Sequence, residues 1–521
     1  MAITSKELGE ILWKIANKQR GSLSPGDYKN YSLAFVFYKD ISDQMENYAN
    51  ELLENDNIKY HELKEENKNE LEVIREESLN KLGYFLYPWE LYGQLLKKTE
   101  TEEDSVQYPF ILEKLKSTFK NIEESSFGRN SQDMFSNIFE KVDLNNSNLG
   151  ETPEDKNKLI YQTMIELKDI ELSESEGDVL GDAYEYLINK FASSGGTNKA
   201  GEYYTPQPVS KLLVNLMTTN KENINSIYDP TCGSGSLLLG FRRMLDYTPN
   251  FYGQELNGET FNLARMNMIM HNVPFNKCDI QRGNTLEQPK HLFLKFDRII
   301  ANPPYSAEWT RNPIFLQDER FSQYGVLAPQ KYADFAFLQH MYYHLEDDGE
   351  MAVVLPHGVL FREGAEGKIR DFLIKEKNAI DTIIGLPENM FFGTSISTVI
   401  IVLKKCRKDT NNILFIDASN EFKKDGNKNK LTEVEINKIT STYKDRKDID
   451  KYSKKIDIND IIDNGSNLNI SRYVDTIEKE AEVDLSNISN KLNELNIKMG
   501  ETSSIINNFC SELGIDSPIQ K

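Results

Sequence analysis

Three short segments carry residue types and spacings that could do chemistry. The first is Asn302-Pro303-Pro304-Tyr305, directly after the apolar run Phe296–Ala301. A residue before proline is pushed to an extended backbone, and two consecutive prolines stiffen the turn. The side-chain oxygen of Asn302 and the carbonyl of Pro303 can then both face one amine. Two acceptors on an exocyclic amine leave its lone pair free to attack an electrophilic methyl, such as one on a sulfonium. Tyr305 adds an aromatic face on which a flipped base could stack. Taken alone, the four residues read equally well as a rigid turn or a polyproline-type ligand.

The second segment is Asp229-Pro230-Thr231-Cys232-Gly233-Ser234-Gly235-Ser236, between an apolar strand and the helical run Leu237–Met244. Glycines let a backbone approach a ligand closely, and the helix start offers free N–H groups. The pattern is neither G-x-G-x-x-G nor a P-loop. The third is Glu255, 26 residues after Asp229, at the end of the next apolar run. An acidic residue there can accept hydrogen bonds from both ribose hydroxyls. Each alone has a plain structural reading, a turn or a surface carboxylate. Together they point to a nucleoside cofactor, either NAD or S-adenosylmethionine, and the N-P-P-Y segment favours the latter.

The elements that must position these residues follow from periodicity. Short apolar runs predict strands at Ser226–Tyr228, Phe251–Gln254, Phe296–Ala301, Gly349–Leu355, Ala379–Ile384 and Ser397–Lys404, with helices such as Gly258–His271 and Tyr332–Leu345 between them. Strand and helix in alternation imply an α/β domain with a mostly parallel sheet, whose ligands bind beyond the carboxyl ends of the strands. The first ~195 residues read as mostly helical from their apolar spacing. Lys59–Lys81 reads as a solvated helix or loop, and a helix is expected over Asp178–Ala192, broken by Ser193-Ser194-Gly195-Gly196. The tail returns to helical spacing through Ile477, Leu485, Ile488, Leu492, Leu495, Met499, Ile506 and Phe509, as a packed helix pair or a helix that waits for a partner. The expected domains are 1–175, helical; 176–405, catalytic; 406–474, a polar, basic extension of it; and 475–521, a helical tail for subunit association.

Composition sets bounds on these readings. The chain has 521 residues, a net charge of −21, 39% hydrophobic and 27% charged residues, which excludes collagen-like and wholly disordered chains. The acidity argues against a lone, general nucleic-acid binder. Residues 1–200 hold 23 Lys+Arg against 38 Asp+Glu, whereas residues 404–460 hold 15 against 11. Cys232, Cys278, Cys406 and Cys510 form no C-x-x-C pair, and reduced thiols are expected. No cysteine stands in a Pro-Cys nucleophile context, and the scattered histidines argue for no metal. No apolar run approaches a membrane span, and the amphipathic Met1–Arg20 does not read as a signal peptide, so a cytoplasmic location is expected.

With these residues in place, the sequence resembles the amino-group DNA methyltransferases. More narrowly, it resembles the modification (methylase) subunit of type I restriction–modification systems. The resemblance rests on Gly201-Glu202-Tyr203-Tyr204-Thr205-Pro206-Gln207-Pro208, then D-P-T-C-G-S-G-S, Glu255 and N-P-P-Y, in the order of the N6-adenine subgroup. It extends to I-L-W-K-I-A-N-K-Q-R-G near the N-terminus, D-V-L-G-D-A-Y-E-Y-L-I at Asp178–Ile188, and A-R-M-N-M at Ala264–Met268. It further includes E-M-A-V-V-L-P-H-G-V-L-F at Glu350–Phe361 and a hairpin at Thr394–Lys405.

The resemblance implies a Rossmann-like, S-adenosylmethionine-dependent methyltransferase that acts on adenine N6 in double-stranded DNA. Glu202, Tyr203, Tyr204, Thr205, Pro206 and Gln207 would wrap the methionine end of the cofactor. Asp229, Thr231, Cys232, Gly233, Ser234 and Gly235 would meet its amino-acid and sugar portions, and Glu255 its ribose. Asn284 and Thr285 align where relatives place an acidic residue against the cofactor adenine. Asn302 and Pro303, stiffened by Pro304, would hold the target amine of a flipped base, with Tyr305 stacking and Phe391 or Phe392 on the other face. The family pairs two methylase subunits with one DNA-specificity subunit, and a restriction/translocase subunit can join. A basic specificity subunit would then supply the DNA affinity that this acidic chain lacks. The rival readings are a self-sufficient adenine methylase, disfavoured by the short chain after Lys405, and a protein glutamine methyltransferase, disfavoured by the long helical N-terminus.

Overall fold

Apolar runs after Ile224 form one large sheet in a computed structural model of the chain. The structure describes residues 4–18, 25–97, 108–168, 170, 179–194, 205–219, 223–391, 394–407, 410–426, 428–475 and 485–519. They belong to two units, Met1–Val474 and Asp475–Lys521.

The strands in the first unit are β1 (Ser226–Asp229), β2 (Asn250–Glu255), β3 (Cys278–Arg282), β4 (Phe296–Ala301), β5 (Leu345–Pro356), β6 (Ile380–Gly385), β7 (Thr398–Lys404), β8 (Asn412–Asp417), β9 (Lys423–Asp425), β10 (Lys428–Lys430) and β11 (Ser453–Asp457). Nine form one sheet in the order β11-β8-β6-β7-β5-β4-β1-β2-β3, and β9 and β10 pair separately. Neighbours run parallel except at β7, which is antiparallel to both β5 and β6, and at β11 against β8. The sequence Thr394–Lys405, expected as a hairpin, is therefore an extended approach followed by an interior strand. Every residue of β4 and β6 is buried, as in a sheet covered on both faces. Strands β3, β8 and β11 escaped the sequence reading. C-D-I-Q-R and S-K-K-I-D are too polar for an apolar-run criterion, and N-I-L-F-I-D sits inside a lysine-rich stretch.

The order places β1 between β2 and β4. The chain moves outward through β2 and β3 on one side and through β4 and β5 on the other. That reversal opens a crevice beyond the carboxyl ends of β1 and β4, and both expected chemical segments follow those ends.

Buried polar groups lock the frame. Arg298 of β4, 1% exposed, donates from Nε to the carbonyl of Met217 at 2.7 Å. It thereby satisfies a carbonyl at the end of the helix Gln207–Thr218, whose start follows Thr205. The helix Gly258–Met270 does similar work through the A-R-M-N-M segment. Asn267 Nδ2 donates to the Ser234 carbonyl at 2.9 Å, holding the glycine turn. Arg265, also 1% exposed, reaches the other way and donates to the carbonyls of Asp133 and Ser136 at 2.7 and 2.9 Å. The N-terminal helices are thus docked on the sheet domain by hydrogen bonds as well as by packing. Their centre is the helix Pro25–Leu52, whose Leu33, Phe35, Phe37, Ile41 and Met45 are buried. Lys68–Lys81 is a helix, and it is not solvated all round: Leu71, Ile74 and Leu79 face the core.

The second unit is one helix, Leu485–Leu513, where a pair was one of two expectations. Ile488, Leu492, Leu495, Met499, Ile506, Phe509 and Leu513 keep spacings of four and three residues, with Thr502 completing the series. That is the 3.5-residue repeat of a coiled-coil seam. Leu492, Leu495 and Met499 are exposed.

Asp381 on β6 gathers Arg446 at 2.9 Å, Arg407 at 3.2 Å and Lys404 at 3.9 Å. Burial opposes its ionisation, but these cations outweigh burial and hold its carboxyl below the usual range. Arg407, 3% exposed, would keep its carbonyl partners but lose its counter-charge in Asp381→Ala. That variant is expected to lose about 3–5 kcal/mol in urea unfolding. In the wild type the stabilisation from this carboxylate is present above pH ~4 and is lost as pH falls through the depressed pKa.

Candidate active site

The turn after β1 is shaped by two glycines that no other residue replaces without strain. Gly233 has φ +55° and Gly235 φ +80°, and Gly235 caps the helix Ser236–Met244. The Gly233 N–H donates to Glu255 Oε2 at 3.0 Å, and the Asn257 N–H donates to Oε1 at 2.7 Å. The backbone N–H of Cys232 donates to the Gln254 carbonyl at 3.0 Å. The ends of β1 and β2 are thus sewn together with the Glu255 carboxylate between them. Cys232 is 5% exposed, and burial pushes its thiol pKa well up, so it remains a neutral packing group. Gly253 gives it room: a Cβ there would lie 2.9 Å from the Cys232 sulfur. Ser234 is buried, its hydroxyl 3.1 Å from that of Ser236.

Asp229 is fully buried. Its Oδ1 accepts from the Thr231 N–H at 2.9 Å, while Oδ2 has no partner among the described residues. Burial pushes its pKa up to about 8, with the Glu255 charge adding to the shift and the Thr231 bond opposing it. Burial also raises Glu255, against its backbone hydrogen bonds. Two carboxyls in one low-dielectric corner make a site that favours a cationic ligand.

A cavity of about 340 Å³ opens beside them. Its lining includes Leu256, Asn284, Leu286 and Trp309, together with Thr231, Glu255, Asn302 and Pro304. Asn284 Oδ1 accepts from the N–H groups of Leu286 and Glu287 at 3.0 and 3.3 Å. Its amide nitrogen is left as the group it can offer a ligand, and that is a donor where an acidic residue would accept. Thr285 donates its hydroxyl to the Pro230 carbonyl at 2.5 Å and so ties this loop to the glycine turn.

Asn302 stands where β4 meets the turn. Its Nδ2 donates to Thr205 Oγ1 at 3.1 Å, which fixes the amide and presents Oδ1. Oδ1 accepts from the Tyr305 hydroxyl at 2.6 Å. Tyr305 packs edge-on against Phe391, with ring centroids 5.7 Å apart and planes at 85°. Pro303 is buried beneath the turn and Pro304 is partly exposed to the cavity. Pro206 caps the helix Gln207–Thr218, so Thr205 sits at its mouth. The loop that carries Phe391 is held by β10. Lys428 Nζ donates to the Phe391 carbonyl at 2.6 Å and to Asn389 Oδ1 at 3.0 Å, and Asn429 Nδ2 donates to the Glu388 carbonyl at 2.7 Å.

The structure therefore brings together Thr205, Asp229, Thr231, Gly233, Glu255, Asn284, Thr285, Asn302, Pro304, Tyr305 and Phe391. Glu202, Tyr203, Tyr204 and Phe392 lie outside the described residues. Leu256, Trp309, Phe337 and Lys428 were not anticipated, and no local pattern marks them. One group of metal-ligand composition occurs among the described residues, Asp182, Glu185 and His271. Both of its carboxylates are ion-paired to Arg243, at 2.9 Å for Asp182, so a fixed cation already occupies their charge.

Comparisons with known proteins show the family. The N-6 DNA Methylase family matches residues 175–482, and the HsdM N-terminal domain matches residues 8–167. The chain is 31% identical over 524 residues to the methylase subunit of the type I restriction enzyme MpnII from Mycoplasma pneumoniae, covering 97% of this chain and 96% of that one. It is 34% identical over 378 residues to the MjaVIII methylase subunit from Methanocaldococcus jannaschii, covering 69% of this chain and 64% of that one. Among solved structures, the type I restriction-modification system methyltransferase subunit from Streptococcus thermophilus superposes with a TM-score of 0.81 at 43% identity, covering 91% of this chain and all of that one. The first match spans β1 to β11, the glycine turn, Glu255 and N-P-P-Y. The chain belongs to the N-6 DNA methylase family, as an S-adenosylmethionine-dependent, adenine-specific methylase subunit of the type I restriction–modification kind.

Proposed function

We propose that the cavity beside Glu255 is the cofactor pocket and that Asn302 marks its methyl end, where a flipped adenine of double-stranded DNA is methylated at N6. The observation that carries this reading is the Asn302 amide. Thr205 orients it so that Oδ1 is presented to a donor, and the Tyr305 hydroxyl is the donor it now holds. An adenine amine that takes the place of that hydroxyl would release Tyr305 to stack on the base, with Phe391 behind the ring.

The residues fit S-adenosylmethionine. Glu255 offers two carboxylate oxygens for the ribose, Leu256, Leu286 and Trp309 offer apolar and aromatic walls for the adenine, and Asp229 provides the buried carboxyl. When bound, the cofactor supplies an electrophilic methyl on a sulfonium. Asn302 Oδ1 and the Pro303 carbonyl accept the two N–H bonds of the target amine and leave its lone pair directed at that methyl. With both N–H groups held, the nitrogen lone pair would be the nucleophile for that methyl, and the surplus proton of the methylated amine would pass to water. No covalent enzyme intermediate is involved, so positioning carries the rate.

The reading extends to a complex. The helix Leu485–Leu513 supplies the apolar seam for a DNA-specificity subunit, in a ratio of two methylase chains to one, and a restriction/translocase subunit can join that assembly. The specificity subunit sets the recognition sequence and brings the positive charge.

Four measurements test this. Asn302→Ala should lower methyl transfer to DNA by about two to three orders of magnitude while calorimetry finds cofactor binding intact; retained transfer removes the amine-holding role. Leu492→Asp with Leu495→Asp should abolish co-elution with the specificity subunit without shifting the melting of the methylase body. Methylation of mixed DNA by the chain alone would instead favour the self-sufficient reading. Finally, Asp229 is protonated below about pH 8, and a cationic ligand favours its ionised form. Binding should therefore release a proton near neutral pH, seen in buffers of different ionisation enthalpy, and affinity should rise with pH more steeply than in Asp229→Asn. The ligand's own ammonium titrates alike in both proteins and cancels from that difference.

A further inference from the structure

Arg320 is among the largest fully buried side chains of the molecule, at 1% exposure. A guanidinium has five N–H donors in a fixed fork, and here every nitrogen is engaged. Nε and Nη2 donate to the Asp318 carboxylate at 3.0 and 2.7 Å. Nη1 donates to the carbonyl of Thr285 at 3.0 Å, and Nη2 to that of Leu286 at 2.8 Å. Nη1 also lies 3.0 Å from His340 Nδ1. Because that ring nitrogen faces a donor, it must be the acceptor. The proton of His340 is then on Nε2, which lies 3.1 Å from the Tyr228 hydroxyl. Burial, with Arg320 and His344 nearby, holds the His340 pKa well below its usual value, in keeping with a neutral ring.

The partners of this fork lie around the cavity. Thr285 and Leu286 line it beside Asn284. Tyr228 precedes Asp229 on β1. Arg320 belongs to the excursion between β4 and β5, whose Ala307, Glu308 and Trp309 line the same cavity. That excursion closes on itself where the Ala333 N–H donates to the Ala307 carbonyl at 3.0 Å, and the indole of Trp309 donates to the Pro329 carbonyl at 3.1 Å. Asp318 balances the charge of Arg320, so the fork's remaining work is geometric. It sets the planes of two consecutive peptides in one wall while anchoring the segment that forms another.

We propose that Arg320 is a positioning residue for the cofactor. By gripping the Thr285 and Leu286 carbonyls it holds the adenine-facing wall at a fixed distance from Trp309, with His340 aligning the fork. The inference rests on the assignment of the cavity as the cofactor pocket. A purely structural strut is the alternative, and it differs in what a substitution would move. A strut affects melting only, whereas a positioning residue affects cofactor affinity more than turnover.

The test is calorimetric binding of S-adenosylmethionine to the full chain, with steady-state methylation of DNA by the chain in complex with its specificity subunit. Arg320→Lys keeps the charge but cannot span both carbonyls, Asp318 and His340. It should raise the dissociation constant and KM for S-adenosylmethionine at least tenfold, with kcat at saturating cofactor changed less than threefold. His340→Leu should weaken binding in the same direction, and His340→Asn, which can keep an acceptor near the Nδ1 position, should restore affinity to within threefold of wild type. This pair decides the matter if Arg320→Lys does not fold. A dissociation constant within twofold of wild type in folded Arg320→Lys or in His340→Leu would overturn the inference alone. Unaltered binding in Glu255→Ala would overturn the pocket assignment, and the inference with it.

Discussion

Strands β1 and β4 lie side by side and parallel, and the chain leaves their carboxyl ends toward opposite edges of the sheet. That one constraint makes the crevice. It puts Asp229 and the glycine turn on one lip and Asn302 on the other, from segments more than seventy residues apart. The register is enforced from below by buried charge. Asp297 of β4 accepts from the N–H groups of Asn225 and Ser226 at 2.8 and 3.1 Å, and Arg298 reaches the helix that starts after Thr205. A slip of one residue would turn Arg298 and the apolar residues of β4 to the wrong faces. The alignment of Thr205 with Asn302 therefore depends on sheet register as much as on the N-P-P-Y turn itself.

The electrostatics of the pocket follow from the same geometry. A buried carboxyl with an unpartnered oxygen costs free energy, and a second carboxyl beside it raises the cost. The molecule lowers that cost in two ways. Glu255 takes hydrogen bonds from the Gly233 and Asn257 N–H groups, and Asp229 is held largely neutral. A ligand that brings positive charge relieves what remains. The acidity of this corner disfavours an anionic ligand such as a diphosphate.

The parts legible in the sequence are those with local causes. Gly233 and Gly235 announce a backbone that other residues resist, Asn302-Pro303-Pro304 announces a stiff extended turn, and apolar runs mark strands such as β4 and β7. What stayed hidden has non-local causes. β3 and β11 are short and polar because each is an edge strand with one neighbour. Trp309 and Arg320 belong to a stretch without long helices or strands, where periodicity says nothing. Their roles appear only when that stretch folds back on the Asn284–Leu286 loop. Lys428 looked like one member of a solvated basic run. Its ammonium instead meets the Phe391 carbonyl, a contact between residues 37 apart in the chain. The A-R-M-N-M segment is legible as a resemblance, while its two opposed tasks, Asn267 on the glycine turn and Arg265 on the N-terminal helices, depend on partners far away in the chain.

Charge distribution links the active site to the assembly. Residues 1–200 carry an excess of 15 acidic groups, 38 against 23, and residues 404–460 an excess of 4 basic ones, 15 against 11. That basic stretch contains β10, which grips the Phe391 loop, and its partner β9, whose Lys423 and Lys424 are exposed. Positive charge is thus concentrated next to the loop that faces Tyr305, within a chain whose overall field repels a polyanion. Such a distribution disfavours indiscriminate DNA binding, because counterion release over a few lysines cannot offset repulsion from the remainder. An acidic methylase with an exposed 3.5-residue seam is consistent with a division of labour in which affinity and sequence choice lie elsewhere and this chain contributes the pocket.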